Sequence, residues 1–266
     1  MHIVVCVKQV PDATNVRINP ETNTLMREGV ESIINPFDEY ALEEALRLKD
    51  QLGARVTVVS MGPPQAAVVI REALARGADD GALISSRAFG GADTLATSYT
   101  ISQSIKTLCK GKTPDLVLFG KQAIDGDTAQ VGPGVSEFLD VPLVTYVKTL
   151  KMESDGSYEV ECPMDDGVNV IRGRLPAVMT VLKEASTPRF ASLSGWMAAK
   201  KAPITVLNEK DIDADPTKIG LKGSPTKVVT IFPPPTKTGG EKVDARGKAD
   251  VAVQAVMKLL KKKGIA

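Results

Sequence analysis

The stretch ARVTVVSMGPPQAAVVIREALARGADDGALISS, residues 54–86, decides the fold. ARVTVVSMG reads as a strand, PQAAVVIREALARG as a helix and GALISS as a second strand. Strand, helix and strand in that order form the crossover unit of a parallel sheet, and such crossovers are right-handed.

The alternation extends both ways. Upstream, HIVVCVKQV (residues 2–10) is a short β-branched run ended by Pro11, the pattern of a buried parallel strand. The polar stretch TNVRINPETNTLMREGVES (14–32) has two short apolar patches around NPETN and suggests a hairpin excursion. A helix follows, with Asn35 as its cap, Pro36 in its first turn, Ala41, Leu42, Ala45, Leu46 and Leu48 at helical spacing, and Gly53 as its stop.

Downstream come the helix TLATSYTISQSIKTLC (94–109), the strand DLVLFG (115–120) and a helix from about Thr128 to Leu139. The sequence therefore predicts a doubly wound α/β domain; with the strand order 3-2-1-4-5, the reversal would lie between the first strand and DLVLFG. From Pro142 the runs LVTYVKTLKM, SYEVECPM, VNVIRGRL and AVMTVLK, separated by turn-prone ESDG and MDDGV, read as antiparallel additions to one sheet edge. After Lys183 periodicity is lost, and Pro188, Pro203, Pro216, Pro225 and the prolines at 233–235 mark an extended C-terminal arm closed by the helix ADVAVQAVMKLLKKKG. The division predicted is residues 1–185 as the α/β domain and 186–266 as the arm. That arm contains Phe190, Leu193, Trp196, Met197, Val206 and Leu207, which need a surface; a partner subunit and the chain's own domain are both open to them.

Composition narrows the chemistry. The 266 residues are 43% apolar and 24% charged with net charge +1, an ordinary globular balance with no basic footprint for nucleic acid. The apolar run Ile3–Val7 stops at Lys8, too short for a signal core or a membrane span, so the expectation is a cytoplasmic protein without membrane insertion. Cys6, Cys109 and Cys162 are odd in number and far apart, which indicates neither disulfides nor a zinc site. The single histidine, His2, leaves no triad, no HExxH and no proton shuttle. No catalytic side chain and no metal site is expected, and redox chemistry would need a bound cofactor.

In an open doubly wound sheet, ligands sit beyond the carboxyl ends of the strands, where strand order reverses. Here the loops after Val7 and after Phe119 would face each other. The second, GKQAIDGDTAQVGPG (120–134), has Gly120, Gly126 and Gly132 for turning and close approach, and a helix N-terminus after Asp127. Its free N–H groups and the Thr128 hydroxyl suit a pyrophosphate. Asp125 and Asp127 would repel one unless they point away or meet a cation, and an Asp-capped structural turn is the competing reading. GGADTLATS (90–98) is a second strand-to-helix junction, with Asp93 as N-cap and Thr94 and Thr97 on neighbouring faces. An ATP-using or stress-type module shares such a sheet, but would want a Gly-rich turn after the first strand, where this chain has KQVPDAT.

These loops carry a resemblance. VVCVKQVPD, IINPFDEYALEEALRLKD, VSMGPPQA, REALARGAD, GKQAIDGDTAQVG, LPAVMTVLKE and PRFASLSGWMAAKKAPI occur in the order found in electron transfer flavoprotein β subunits, which the chain resembles over essentially its whole length. The resemblance implies an adenine nucleotide alpha hydrolase-like fold and a heterodimer with an α subunit that holds one FAD. It implies a nucleotide site made of Cys6, Asn35, Met61 and the loop Gly120, Gln122, Ala123, Ile124, Asp125, Gly126, Asp127, Thr128, Ala129, Gln130 and Val131. It also implies a recognition segment for a partner dehydrogenase acting on acyl-CoA or another substrate, with Leu193 as anchor beside Arg189, Trp196 and Met197.

Two branches are implied. In one the β subunit holds AMP as a structural ligand. In the other, found in anaerobes, it holds a second FAD and the heterodimer bifurcates electrons from NADH to ferredoxin or flavodoxin and to the dehydrogenase. Small residues at Gly126, Thr128 and Ala129, together with TNTLMREGVESIINPFD and AFGGADTLATS, resemble the second branch, in which Asp93, Thr94 and Thr97 lie near the additional FAD.

Overall fold

The structure is a computed structural model that describes residues 1–12, 32–229 and 242–265, with the backbone of 17–18 and 25–26. The chain forms two compact units, Met1–Lys227 and Val228–Ala266.

The first unit runs β1 (His2–Cys6), β2 (Gln9–Pro11), β3 (Arg17–Ile18), β4 (Leu25–Met26), β5 (Ser32–Ile34), α1 (Pro36–Leu52), β6 (Arg55–Met61), α2 (Ala67–Arg76) and β7 (Asp80–Ile84). It continues through α3 (Thr94–Leu108), β8 (Leu116–Gly120), α4 (Val131–Leu139), β9 (Leu143–Val147), β10 (Thr149–Met152), β11 (Ser157–Met164), β12 (Gly167–Arg174), β13 (Ala177–Val181), α5 (Leu193–Lys201) and β14 (Ile204–Leu207). The second unit carries α6 (Ala249–Lys262).

Seven strands form one sheet in the order β14-β7-β6-β1-β8-β13-β9, and every neighbouring pair is parallel. The chain winds outward from β1 in both directions, and β1 lies between β6 and β8, with Val5 opposite both Val58 and Leu118. The order β7-β6-β1-β8-β13 around the first strand meets the condition set by the sequence reading, and strand order reverses between β1 and β8. Apolar residues on consecutive positions of β1 serve two cores: Ile3 and Val5 pack with Ala41, Leu42 and Leu46 of α1 and with α2, whereas Val4 and Cys6 pack with Tyr99 and Ile105 of α3 and with Val135 of α4. A strand buried on both faces has no polar alternation, which is why HIVVC reads as a continuous run.

The second half departs from the sequence reading. LVTYV and AVMTV, expected as antiparallel additions, are β9 and β13, parallel strands of the main sheet, and β13 is buried at every position. The antiparallel pairing is confined to a separate sheet, β10-β11-β12. The stretch after Lys183 is not uniformly extended. Its α5 packs on α2, where Gly195 comes so close to the Ala75 carbonyl that a Cβ would not fit, and β14 adds a parallel edge strand beside β7. The hairpin excursion is β3 paired antiparallel with β4; its NPETN turn and the prolines at 233–235 lie outside the described residues. Among the described residues no helix is long and apolar enough to cross a membrane.

Candidate functional site

At the reversal point β1 and β8 release their chains toward the same end of the sheet, and the first turn of α1 lies beneath them. The carboxyl of Asp38 bridges the two: one oxygen accepts from the Lys8 N–H at 2.8 Å and the other from the Gly120 N–H at 3.2 Å. Asp38 is 6% exposed. Burial pushes its pKa up to about 7, while the Lys8 and Gly120 N–H groups, the Asn35 side chain and the Lys8 charge pull the other way. Gly120 is required here by close approach, since a Cβ would stand 2.5 Å from Asp38 Oδ1 and from the Phe37 carbonyl carbon.

Asn35 does not cap α1 with its side chain, contrary to the sequence expectation. Its amide instead spans the crevice, Nδ2 donating to the Gln122 carbonyl at 2.9 Å and Oδ1 accepting from the Ile124 N–H at 3.1 Å. Without a side-chain cap, α1 relies on Pro36 at its start and on Asp38 and Glu39 in its first turn. Asn35 and Asp38 thus fix the start of the Gly120–Val131 loop from below.

The loop turns on Ala123, whose carbonyl accepts from the Asp127 N–H at 2.8 Å. The left-handed residues are Asp127 (φ 55) and Ala129 (φ 53), and Gly126 is not among them. A Cβ on Gly126 would meet nothing within 4 Å. These reversals delay the helix: α4 begins at Val131, three residues later than predicted, so Thr128 lies in the loop. Gly132 is set by packing against Thr180 and Phe119.

The two acidic residues are each held by a side chain. Lys8 Nζ donates to both oxygens of Asp125, at 2.7 and 2.8 Å, and the Gln122 amide donates to Asp127. The electrostatic objection to an anion here is thereby met at Asp125 by a cation, while Asp127 keeps its charge and is held by an amide.

The second junction joins the first. Thr94 Oγ1 donates to Gln130 Oε1 at 2.9 Å, and Ser98 Oγ donates to the carbonyls of Thr94 and Val131. Asp93 caps α3 through the N–H groups of Leu95 and Ala96, and its other oxygen accepts from Thr226. The N-termini of α3 and α4 therefore lie side by side, with Thr97 half-buried one turn along α3. Met61 is half-buried at the end of β6, and the neighbouring Ser60 Oγ is buried with no hydrogen-bond partner. The Cys6 thiol is buried, and desolvation and the nearby Asp38 push its pKa far up, so it is no nucleophile.

Open space over Gly126, hydrogen-bonded loop carboxylates and an α4 N-terminus without a side-chain cap fit an anionic nucleotide. Two residues of this arrangement, Lys8 and Asp38, escape sequence reasoning.

The segment expected to recognise a partner divides. Leu193 (80% exposed) and Met197 (61%) stand one turn apart on α5 beside Phe190 (97%) and the partly covered Trp196 (40%). Arg189 does not join this surface: its guanidinium donates to both carboxylate oxygens of Glu43 and pairs with Asp50 at 2.8 Å, which ties the segment to α1.

A sheet wound outward from β1, with paired helix N-termini at an open reversal point, defines a doubly wound α/β protein of the kind that takes ligands at strand carboxyl ends. The family profile described as the electron transfer flavoprotein domain matches residues 22–212. The caffeyl-CoA reductase-Etf complex subunit CarD of Acetobacterium woodii is 50% identical over 263 residues, covering 98% of this chain and 99% of that protein. The electron transfer flavoprotein subunit beta of Clostridium acetobutylicum is 49% identical over 259 residues (97% and 98%), and that of Megasphaera elsdenii 46% over 269 (99% and 99%). The chain belongs to the electron transfer flavoprotein family, on its β-subunit side. Members of this family bind flavin, and their β subunits pair with an α subunit.

Proposed function

We propose that this chain is the β subunit of an electron-bifurcating flavoprotein and that its crevice between β1 and β8 holds an FAD. The observation that carries the reading is the unobstructed space at Gly126, in a loop whose carboxylates are both hydrogen-bonded. A nucleotide extending past its first phosphate needs that space, whereas an AMP-sized ligand does not. Similarity to CarD, a subunit of a reductase-Etf complex in Acetobacterium woodii, supports the same branch.

In this reading Asn35, Met61 and the backbone of Cys6 receive the adenosine part, the loop from Gly120 to Val131 and the start of α4 hold the pyrophosphate, and Asp93, Thr94 and Thr97 border the far end. The flavin supplies the electron-carrying chemistry. The chain's own residues bind and orient it, and the packed sheet beneath excludes water. NADH is the electron donor, ferredoxin or flavodoxin and a dehydrogenase are the acceptors, and the cytoplasm is the compartment. Residues 186–266 serve contacts: the α5 surface around Leu193 meets the dehydrogenase, and the stretch with α6 docks on the α subunit.

The test is the nucleotide released on denaturing the purified heterodimer after reconstitution with excess FAD. Two FAD and no AMP per heterodimer is the expected result. One FAD with one AMP would assign the chain to the simple electron-shuttle branch.

A further inference from the structure

Asp38 occupies a position that the loop residues do not share. Among the described residues it is the only side chain that reaches the backbone of both chains where they leave β1 and β8, taking the Lys8 N–H on one oxygen and the Gly120 N–H on the other. The sheet ladder pairs β1 with β8 as far as Cys6 and Phe119, and just past that point a single carboxylate links the two chains. We propose that Asp38 is a positioning residue: ionised, it holds the Lys8 and Gly120 N–H groups together and with them the starts of the two loops that admit the nucleotide, and protonated, it lets one of them go.

The chemistry follows from the acceptor count. A carboxylate accepts on both oxygens, whereas a carboxylic acid turns one of them into a hydroxyl that must donate. Two N–H donors facing one carboxyl therefore select its ionised form, and protonation leaves one of those donors without its partner. Burial opposes ionisation and brings the titration to about pH 7. The titratable groups that face Asp38 are the Cys6 thiol of β1 and the Lys8 ammonium, which is itself engaged by Asp125; β8 presents the uncharged Gly120 N–H and the start of α1 the neutral Asn35 amide. The chain's one histidine, His2, sits at the opposite end of β1, away from Asp38.

This inference rests on the nucleotide reading above, and its test separates the two. The heterodimer of this chain with its α subunit, freed of nucleotide, is titrated calorimetrically with FAD from about pH 6 to about pH 8, in buffers of different ionisation enthalpy. A ligand that requires ionised Asp38 displaces its proton, so affinity should weaken by about tenfold per pH unit below 7 and level off above it, with about one proton released per FAD near pH 6. Asp38→Asn should bind more weakly and without that pH step. An unchanged pH profile in Asp38→Asn, or binding without proton release by the wild type, would overturn the proposal. Should the variant fail to fold, the wild-type proton count decides alone. If the heterodimer takes AMP and not FAD, the flavin reading fails, while a pH step with AMP that is lost in Asp38→Asn upholds the role of Asp38. Binding of neither nucleotide would overturn both.

Discussion

Lys8 Nζ contacts both carboxylate oxygens of Asp125, at 2.7 and 2.8 Å, and so closes a bridge between the loop that follows β1 and the loop that follows β8. Both side chains are partly exposed, and an exposed ion pair contributes only about 0–1 kcal/mol to stability. Its weight lies in the local field, because it supplies a cation beside the loop proposed to meet a pyrophosphate. Lys8→Met should weaken FAD binding at the β site by about tenfold or more, roughly 1.4 kcal/mol, with little change in melting temperature. Adding Asp125→Asn to that variant should restore part of the affinity by removing the uncompensated carboxylate. Isothermal titration of the three proteins checks this, and equal affinities would exclude a role for the pair in binding.

The loop glycines separate fold from ligand. Gly126 faces open space at an ordinary φ, so Gly126→Leu should keep the melting temperature while selectively losing the β-site flavin. Gly120→Ala presses a methyl against Asp38 and the Phe37 backbone, and overpacking of this kind costs about 1–3 kcal/mol. Thermal melts together with flavin counts per heterodimer distinguish the two. Full flavin content in Gly126→Leu would show that the pyrophosphate path lies elsewhere.

Asp38 also imposes a pH dependence on stability whose sign is opposite to that of a salt-bridged carboxylate. Its pKa rises from 3.8 to about 7 on folding, so between those values the folded state binds more protons than the unfolded state. Its contribution to unfolding free energy therefore falls as pH rises across that window, by about 1.4 kcal/mol per unit and roughly 4 kcal/mol in all. Asp79 and Asp93, held below their ordinary range, act in the reverse sense, so the observable is a difference. The stability gap between Asp38→Asn and wild type should shift in favour of the variant from about pH 4 to about pH 8, as read by denaturant unfolding. A gap independent of pH would mean that Asp38 ionises normally.

Sequence alone locates the crevice because its determinants are local. The residues 54–86 dictate a crossover, HIVVC and LVLFG read as buried strands, and the reversal between them follows from strand order. What it misreads depends on contacts distant along the chain. AVMTV is as apolar at consecutive positions as β1, the mark of a strand buried on both faces, but its place among short runs and turns suggested an antiparallel meander. ITVL lies between prolines and becomes β14 only because the edge of β7 is free to receive it. Asp38 reads as an ordinary acid in a first helical turn, and Lys8 as the residue that ends an apolar run; their roles emerge once β1, β8 and α1 converge. Asn35 reads as a cap because Asn caps helices, yet two backbone groups of the 122–124 segment compete successfully for its amide.

The segment around α5 offers a contrast between anchor and tether. Leu193 is exposed, so Leu193→Ala should leave melting temperature and flavin content unchanged while lowering the rate of electron exchange with the dehydrogenase proposed as its partner. Arg189 is held by Glu43, whose side chain is nearly buried, so Arg189→Ala leaves a poorly solvated carboxylate and should cost about 1–2 kcal/mol, discounted from the fully buried range because Arg189 is partly exposed. Stopped-flow reduction with the dehydrogenase, run beside thermal melts, separates the effects. A Leu193→Ala protein with wild-type exchange rates would show that the exposed apolar surface of α5 serves another contact.

None of the residues of α6 is buried, although Val253, Val256, Met257 and Leu259 are apolar. A fourteen-residue helix is marginal in water by itself, and in proteins its stability comes from packing of an apolar face. The proposed cover is the α subunit. Removing residues 249–266 should therefore leave the stability of the Met1–Lys227 unit within about 0.5 kcal/mol of its original value, since no core residue of that unit is deleted. The same truncation should weaken association with the α subunit by at least about a hundredfold, about 2.7 kcal/mol, measured by co-purification and analytical ultracentrifugation. Undiminished association would place the α-subunit contact on the first unit and leave α6 to another partner, whereas a loss of stability in the isolated β chain would show that α6 packs against its own fold.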